Sequence, residues 1–305
     1  MYKIISIFSC VLLMAACDVT SDNDPEKDIN PNVTGTKFGL STVSLDEAYN
    51  ALKTSLDNND QIGIVAEVDH SQNATSVGKE LGTTKIIFFG NPNLGTPLMQ
   101  KNQLAGLDLP QKVLFYSKED TVFALYNSTD YLASRHALGG EPSLTQISAA
   151  LENLVGGAIQ NSLSSSVSQS VTANEGVETV TSSQDFEATY QSLQTIISGN
   201  ENLTILAELD HQANAQSKGL ELRPTKIIIF GNPNLGTPLM QASQTIGLDL
   251  PQKILVWEDA DGAVHLSYND PEFLRQRHQI TGSDTEIEQI TNALQNITNA
   301  AGGLN

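Results

Sequence analysis

From Ser44 onward the chain switches between two hydrophobic periods. Leu45, Tyr49, Leu52 and Leu56 recur at helical spacing and place one apolar stripe on a helix. Ser44 precedes that stripe and Glu47 stands three residues on, the spacing of a capping box in which each side chain satisfies the other residue's backbone N–H. Ile62, Ile64, Ala66 and Val68 then alternate with polar neighbours, as a half-buried strand does. Ile86-Ile87-Phe88-Phe89 does not alternate, and a continuous run of this kind predicts a central strand covered on both faces. Gly90-Asn91-Pro92-Asn93 breaks the run, and Thr96-Pro97 reads as the N-cap and first-turn proline of a short helix. Residues 113–116 and 122–126 predict two further strands, followed by a closing helix at 131–138 and a longer one at 143–159. With a weak first strand near 36–43 the order is β-α-β-β-(α)-β-β-α. Consecutive strands with few helices predict an α+β fold, an antiparallel sheet with helices packed on one face.

The whole pattern occurs twice. TKIIFFGNPNLGTPLMQ at 84–100 returns as TKIIIFGNPNLGTPLMQ at 225–241. At that offset 66–116 aligns with 207–257 without a gap and 35 of the 51 positions are identical, against 6 of 30 just upstream, so the middle of the unit is held more tightly than its flank. A one-residue insertion then pairs Tyr126-Asn127 with Tyr268-Asn269, and Arg135-His136 with Arg277-His278. The repeats are expected at 35–159 and 177–301. Between them 160–176, QNSLSSSVSQSVTANEG, has the Ser-rich composition of a flexible linker.

Residues 1–17, MYKIISIFSCVLLMAAC, carry Lys3, an apolar stretch and small residues before Cys17, the layout of an export signal. The apolar part is shorter than the roughly 20 residues that span a bilayer. Met14-Ala15-Ala16-Cys17 resembles a bacterial lipobox, with Met where Leu is usual, which predicts acylation of Cys17 as residue one of the mature protein. Ordinary signal cleavage with an incidental cysteine is the alternative. Residues 18–34 are acidic and rich in Pro and Asn, as in a disordered tether. The expected location is the bacterial cell envelope, extracytoplasmic and lipid-anchored, on the periplasmic side or the surface.

Charge narrows the function classes. Among 305 residues, 16 Lys+Arg face 35 Asp+Glu, a net charge of −19, and such a surface repels phosphate backbones, so nucleic acid is not an expected partner. The two cysteines lie at 10 and 17, leaving the body without thiolate or disulfide chemistry.

AEVDHSQNA, GKEL, FGNPNLGTPLM, GLDLPQKVLFY and a closing Arg-His, matched by AELDHQANA, KGLEL, FGNPNLGTPLM, GLDLPQKILVW and Arg277-His278, resemble the bacterial Domain of Unknown Function 302 family. The resemblance covers about 65–70 residues of each unit. It implies a β-α-β4-α fold like the TATA-binding-protein superfold. It implies no reaction, and fold does not carry DNA binding with it.

Four of the five histidines fall at repeat-equivalent positions: His70 with His211, and His136 with His278. If strand end and closing helix meet, each unit would hold a histidine pair with Glu80 (Glu221), Asn91 (Asn232) and Arg135 (Arg277) as neighbours. Such a set could bind a small molecule or ion, or transfer a proton in a His-dependent hydrolase or lyase. It could equally stabilise the fold alone, since buried polar groups are normally hydrogen-bonded. Neither a cofactor nor a metal is expected: there is no His-x-x-x-His and no cysteine in the body. The 90–95 loop follows a strand but lacks the Lys-Ser/Thr of a phosphate loop, and turn chemistry accounts for its Gly, Asn and Pro. The segment 106–110 reads as a turn into a strand, and Lys85, Lys112, Lys226 and Lys253 are basic residues shared by both copies. The expected partners are the lipid bilayer, through the acyl anchor, and a small ligand.

Replacing Cys17 by Ser is expected to abolish lipid labelling and release the protein from membranes; a variant that stays membrane-bound would place the anchor elsewhere.

Overall fold

The computed structural model describes residues 29–304 except residue 169. The export signal, Cys17 and most of the tether lie outside the described residues. The first repeat runs β1 (Thr36–Leu40), α1 (Leu45–Asp57), β2 (Gly63–Asp69), α2 (His70–Ser76), β3 (Thr84–Gly90), α3 (Pro92–Lys101), a 3₁₀ turn (Gln103–Leu107), β4 (Gln111–Lys118), β5 (Thr121–Asn127), α4 (Thr129–Arg135) and α5 (Pro142–Ile159). After a short β6 (Ser164–Ser165) the second repeat follows: β7 (Val177–Thr181), α6 (Phe186–Ser198), β8 (Thr204–Asp210), α7 (His211–Gln216), β9 (Thr225–Gly231) and α8 (Pro233–Ala242). It ends with a 3₁₀ turn (Gln244–Leu248), β10 (Gln252–Glu258), β11 (Val264–Asn269), α9 (Pro271–Arg277) and α10 (Asp284–Ala301). Both sheets are antiparallel, in the orders β2-β3-β4-β5-β1-β6 and β7-β11-β10-β9-β8. Each repeat is thus a β-α-β4-α unit with short helices added.

The helical face of the first sheet is built as the periodicity requires. Leu45, Tyr49, Leu52 and Leu56 of α1 and Ile147, Leu151 and Val155 of α5 pack on Ile87, Phe89, Val113 and Phe115. Ser44 closes the capping box, its hydroxyl accepting from Glu47 N–H while the Glu47 carboxylate accepts from Ser44 N–H.

The other face of the sheet is where the fold departs from two separate domains. Ile86, Phe88, Leu114, Tyr116 and Leu125 point away from the helices and pack with Ile229 and Leu248 of the second repeat. Reciprocally, Leu107 enters a cluster with Ile227 and Leu255. Each 3₁₀ turn therefore reaches across and covers the other repeat's sheet. Glycine is required at the crossing: a methyl group on Gly106 would stand 2.7 Å from Leu255 Cδ1, and one on Gly247 3.1 Å from Leu114 Cδ1. Residues from Pro31 onward form one compact body.

Three sequence expectations change here. The segment 160–176 is docked: Ser164–Ser165 pairs with β1, Ser168 O accepts from Gly35 N–H, and Asn174 N–H donates to Arg135 O. The reason is that β1 is an edge strand whose free backbone groups need a partner, and the Ser-rich chain supplies one. The last residues of the expected tether are ordered as well, since Val33 is buried and its N–H donates to Ser166 Oγ. The helix after β3 begins at Pro92, with Asn91 as N-cap, four residues before Thr96. Asn91 Oδ1 accepts from Asn93 N–H at 3.0 Å, and proline is as well suited to a first turn at 92 as at 97.

Candidate functional site

The ten side chains singled out by the sequence occupy three places. Arg135, His136, Arg277 and His278 meet at the centre of the interface between repeats, on two carboxylates from the GLDLP segments. Asp108 Oδ2 accepts from Arg135 Nη1 and His136 Nε2, each at 2.8 Å. Asp249 Oδ2 accepts from Arg277 Nη1 at 2.6 Å and His278 Nε2 at 2.8 Å. The second Nη of each guanidinium crosses over: Arg135 donates to Asn269 Oδ1 at 2.9 Å and Arg277 to Asn127 Oδ1 at 2.8 Å. The Arg277 guanidinium also lies 4.1 Å from the centre of the Tyr131 ring, and Arg135 5.0 Å from that of Phe273. The planar fork of arginine suits this simultaneous pairing and stacking.

Lys112 adds a third cation, 3.1 Å from Asp249 Oδ1 and 3.6 Å from Asp108 Oδ1. Burial pushes both carboxyls up, but the neighbouring guanidinium, Lys112 and histidine outweigh it and hold each well below the usual carboxylate range. Burial, with Lys112 beside it, pulls the Lys253 ammonium far below its ordinary value. Burial likewise lowers His136 and His278 against the pull of their aspartates. The repeats differ in one detail. His278 Nδ1 lies 3.0 Å from Thr245 Oγ1, whereas Leu104 occupies the matching position and leaves His136 Nδ1 without a partner. This cluster is a solid ionic core, and no lining residue of the clefts described next belongs to it.

His70, Asn91, His211 and Asn232 line two related clefts in exchanged pairs. One cleft is walled by the first repeat's β2, the start of α3 and α5, including Val65, Phe89, Asn91, Thr96 and Leu151, and is completed by His211 of the second. The other is walled by Leu206, Phe230, Asn232, Thr237 and Leu294 and completed by His70 of the first. The exchange follows from α2 and α7, which begin at these histidines and lie against α8 and α3 of the opposite repeat. A β-bulge lies between Ile64 and Ala66, and another between Ile205 and Ala207, so Val65 and Leu206 reach the clefts from edge strands. His70 Nε2 lies 3.2 Å from Gly247 O. Burial pushes both imidazoles down to about 4.

Glu80 and Glu221 take part through the backbone: their carbonyls accept from Gln241 Nε2 at 2.7 Å and Gln100 Nε2 at 2.6 Å of the opposite repeat. His70 and His136 share no hydrogen-bond partner: His70 meets Gly247 O of the other repeat, and His136 meets Asp108 of its own. Among the described residues no group of three or more His, Cys, Asp and Glu side chains could hold a metal ion.

Several residues stood out less in the sequence than in space. Thr96 Oγ1, Thr237 Oγ1 and Gln111 Nε2 are buried polar atoms without a hydrogen-bond partner, as is Nε2 of the already singled-out His211, and all these residues line the clefts. Their signal was identity between copies at polar positions inside apolar stretches, as it was for Asp108 and Asp249, each flanked by leucines.

The geometry defines a tandem α+β protein with two composite clefts around a buried ionic centre. The model of the domain of unknown function DUF302 matches residues 38–160 and 178–300, and the chain belongs to this family. It is similar to two proteins named Fluoride-specific ion channel FluC 1, from Brucella suis biovar 1 (strain 1330) and Brucella abortus biovar 1 (strain 9-941). Each is 46% identical over 102 residues, which is 33% of this chain and 40% and 38% of those proteins. The chain thus spans well under half the length of either relative. The crystal structure of an uncharacterized conserved DUF302 protein from Bacillus stearothermophilus is 20% identical, covering 43% of this chain and 98% of that one, with a TM-score of 0.35.

The buried histidines set a pH dependence. His70 and His211 sit near 4 when folded and near 6.5 when unfolded, so the unfolded chain takes up protons first as pH falls. Stability is expected to drop from about pH 6.5 to about pH 4. Urea midpoints across that range should show it, with a shallower slope in a His70→Gln/His211→Gln variant; a flat wild-type profile would contradict it.

Proposed function

We propose that the chain is a small-molecule binding module, held at the bacterial cell envelope through an acylated Cys17, with its ligand sites in the clefts that the two repeats build together. The observation that carries this reading is the first cleft itself, a concavity of about 570 Å³ walled by one repeat and completed by His211 of the other. The walls are concave and mix apolar side chains such as Phe89 and Leu151 with polar ones such as Gln61, Asn91 and Asn214, and small-molecule sites commonly combine apolar walls with a few polar groups at a boundary between domains.

The reading takes nothing from the channel name of the Brucella relatives, whose match spans 40% and 38% of their length. Among the described residues no helix is long and apolar enough to cross a membrane. The ionic centre is assigned a structural part, that of fixing one repeat against the other so that His211 and His70 complete the clefts.

A thermal-shift screen of small metabolites against the purified chain tests the proposal. A ligand at 100 times its Kd stabilises by about 2.7 kcal/mol, enough to raise Tm by several degrees. The shift should disappear when Leu154→Trp, which fills the first cleft from its half-buried wall, is combined with a matching change at Ile297 of the second. No shift with any compound, or shifts indifferent to both changes, would sink the reading.

A further inference from the structure

We propose that the outer edge of β7 docks a second copy of this chain, whose own β7 lies against it antiparallel with Thr179 on the two-fold axis. No residue of β7 lines either cleft, so the inference is independent of the reading given to them.

The two repeats treat the same edge differently. In the first, Ser41 N–H donates to Val122 O and Ser128 N–H to Gly35 O, which fixes the phase of the β1–β5 ladder. Bonding direction alternates along an antiparallel strand, so Thr36, Phe38 and Leu40 turn their backbone N–H and C=O groups outward. The segment after α5 meets all three. Thr36 O accepts from Ser166 N–H at 3.0 Å, Phe38 stands opposite Ser164, and Leu40 O accepts from Asn161 Nδ2 at 2.9 Å. In the second repeat, Ser182 N–H donates to Val264 O and Asp270 N–H to Gly176 O, which fixes the same phase between β7 and β11. The equivalent residues Val177, Thr179 and Thr181 therefore turn outward. Val177 N–H donates to Asn174 O, but among the described residues no strand pairs with this edge. Exposure follows: Thr36 and Phe38 are buried, whereas Thr179 and Thr181 are exposed.

The other outer strands are blunted. β2 and β8 carry bulges and lie against each other, and β6 is two residues long. β7, VETVT, pairs with β11 in unbroken register and contains no proline, lysine or bulge. An edge of this kind is a template for another strand.

Register and charge select the occupant. The β1 edge shows that an extended antiparallel segment fits there. Two β7 strands related by a two-fold axis through Thr179 satisfy each other: each Thr179 N–H donates to the partner's Thr179 carbonyl, and each Thr181 N–H to the partner's Val177 carbonyl. Thr179 then faces the partner's Thr179, a favourable cross-strand pair, and Glu178 falls opposite the partner's Val180 and not a second carboxylate. The contact uses one patch on both copies and closes at two. The net charge of −19 opposes association at long range, and salt screens it. Five residues on each side make a small contact, so the dimer is reversible.

Sedimentation equilibrium of the full chain carrying Cys10→Ser and Cys17→Ser, which removes both thiols, tests this. A dimer is expected at roughly 100 µM, tightening as salt is raised. Thr179→Lys, which sets like charges opposite each other from an exposed position, should weaken it about tenfold with an unchanged melting temperature. In the same background Thr179→Cys should form a disulfide-linked dimer on mild oxidation, because facing residues of a bonded pair lie about 5.5 Å apart at Cα. Thr181→Cys should not, since the register holds its two copies roughly 14 Å apart along the strands. Equal cross-linking at 179 and 181, or a dimer unmoved by Thr179→Lys, would overturn the pairing. A chain still monomeric at about 500 µM would overturn the second copy as occupant and leave the edge to an extended segment of another protein.

Discussion

A sheet with two apolar faces needs two covers, and each repeat supplies only one. Helices α1 and α5 cover one side of the first sheet, leaving Ile86, Phe88, Leu114 and Leu125 on the other. At roughly 25 cal/mol per Å² of apolar surface, leaving that face in water would cost far more than ordering a short crossing segment. The second repeat covers it, and is covered in return, through the 3₁₀ turns that carry Leu107 and Leu248. The tightness of the GLDLP segment follows from this exchange. Its glycine allows the close approach and its first leucine fills the opposite sheet. Its aspartate reaches the centre, and its second leucine returns to its own core.

Putting Asp108 and Asp249 at that centre obliges the surroundings to compensate. A buried carboxylate is tolerated only when paired and hydrogen-bonded, and here each has a guanidinium, an imidazole and a share of Lys112. Such a network adds little net stability compared with an apolar replacement, but its directional bonds admit one alignment of the two repeats. That alignment brings His70 to the Gly247 carbonyl and His211 into the first cleft. The two-fold match is not complete: Leu104 stands opposite Thr245 beside the ionic centre, and the clefts differ in volume, about 570 against about 200 Å³.

What could be read from the sequence was local. The helical stripe on α1, the Ser44 box and the alternating β2 depend on neighbours within a few residues, and the chain states them directly. The Ile86–Phe89 run announced a strand buried on both faces, yet nothing along the chain says that the second cover is the other repeat. For the same reason 160–176 looked like a free linker: its composition is polar, and its partners, β1 and Arg135, are supplied by tertiary structure. The four paired histidines were visible as equivalents, but His70 meets Gly247 O of the opposite repeat while His136 meets Asp108 of its own, so grouping them within one unit set His70 beside His136. Asp108 passed as a turn residue because a carboxylate between leucines becomes informative only once Arg135 and His136 are seen to converge on it.

The central claim is that the two repeats fold as one body through a shared interface. Unfolding of the whole chain in urea tests it most directly. Trp257, the single tryptophan, reports on the second repeat, and hydrogen exchange of β3 amides reports on the first. One transition with the same midpoint by both probes is the predicted result, and Asp249→Asn should move both midpoints together. Two separated transitions, or an Asp249→Asn shift confined to Trp257, would contradict it.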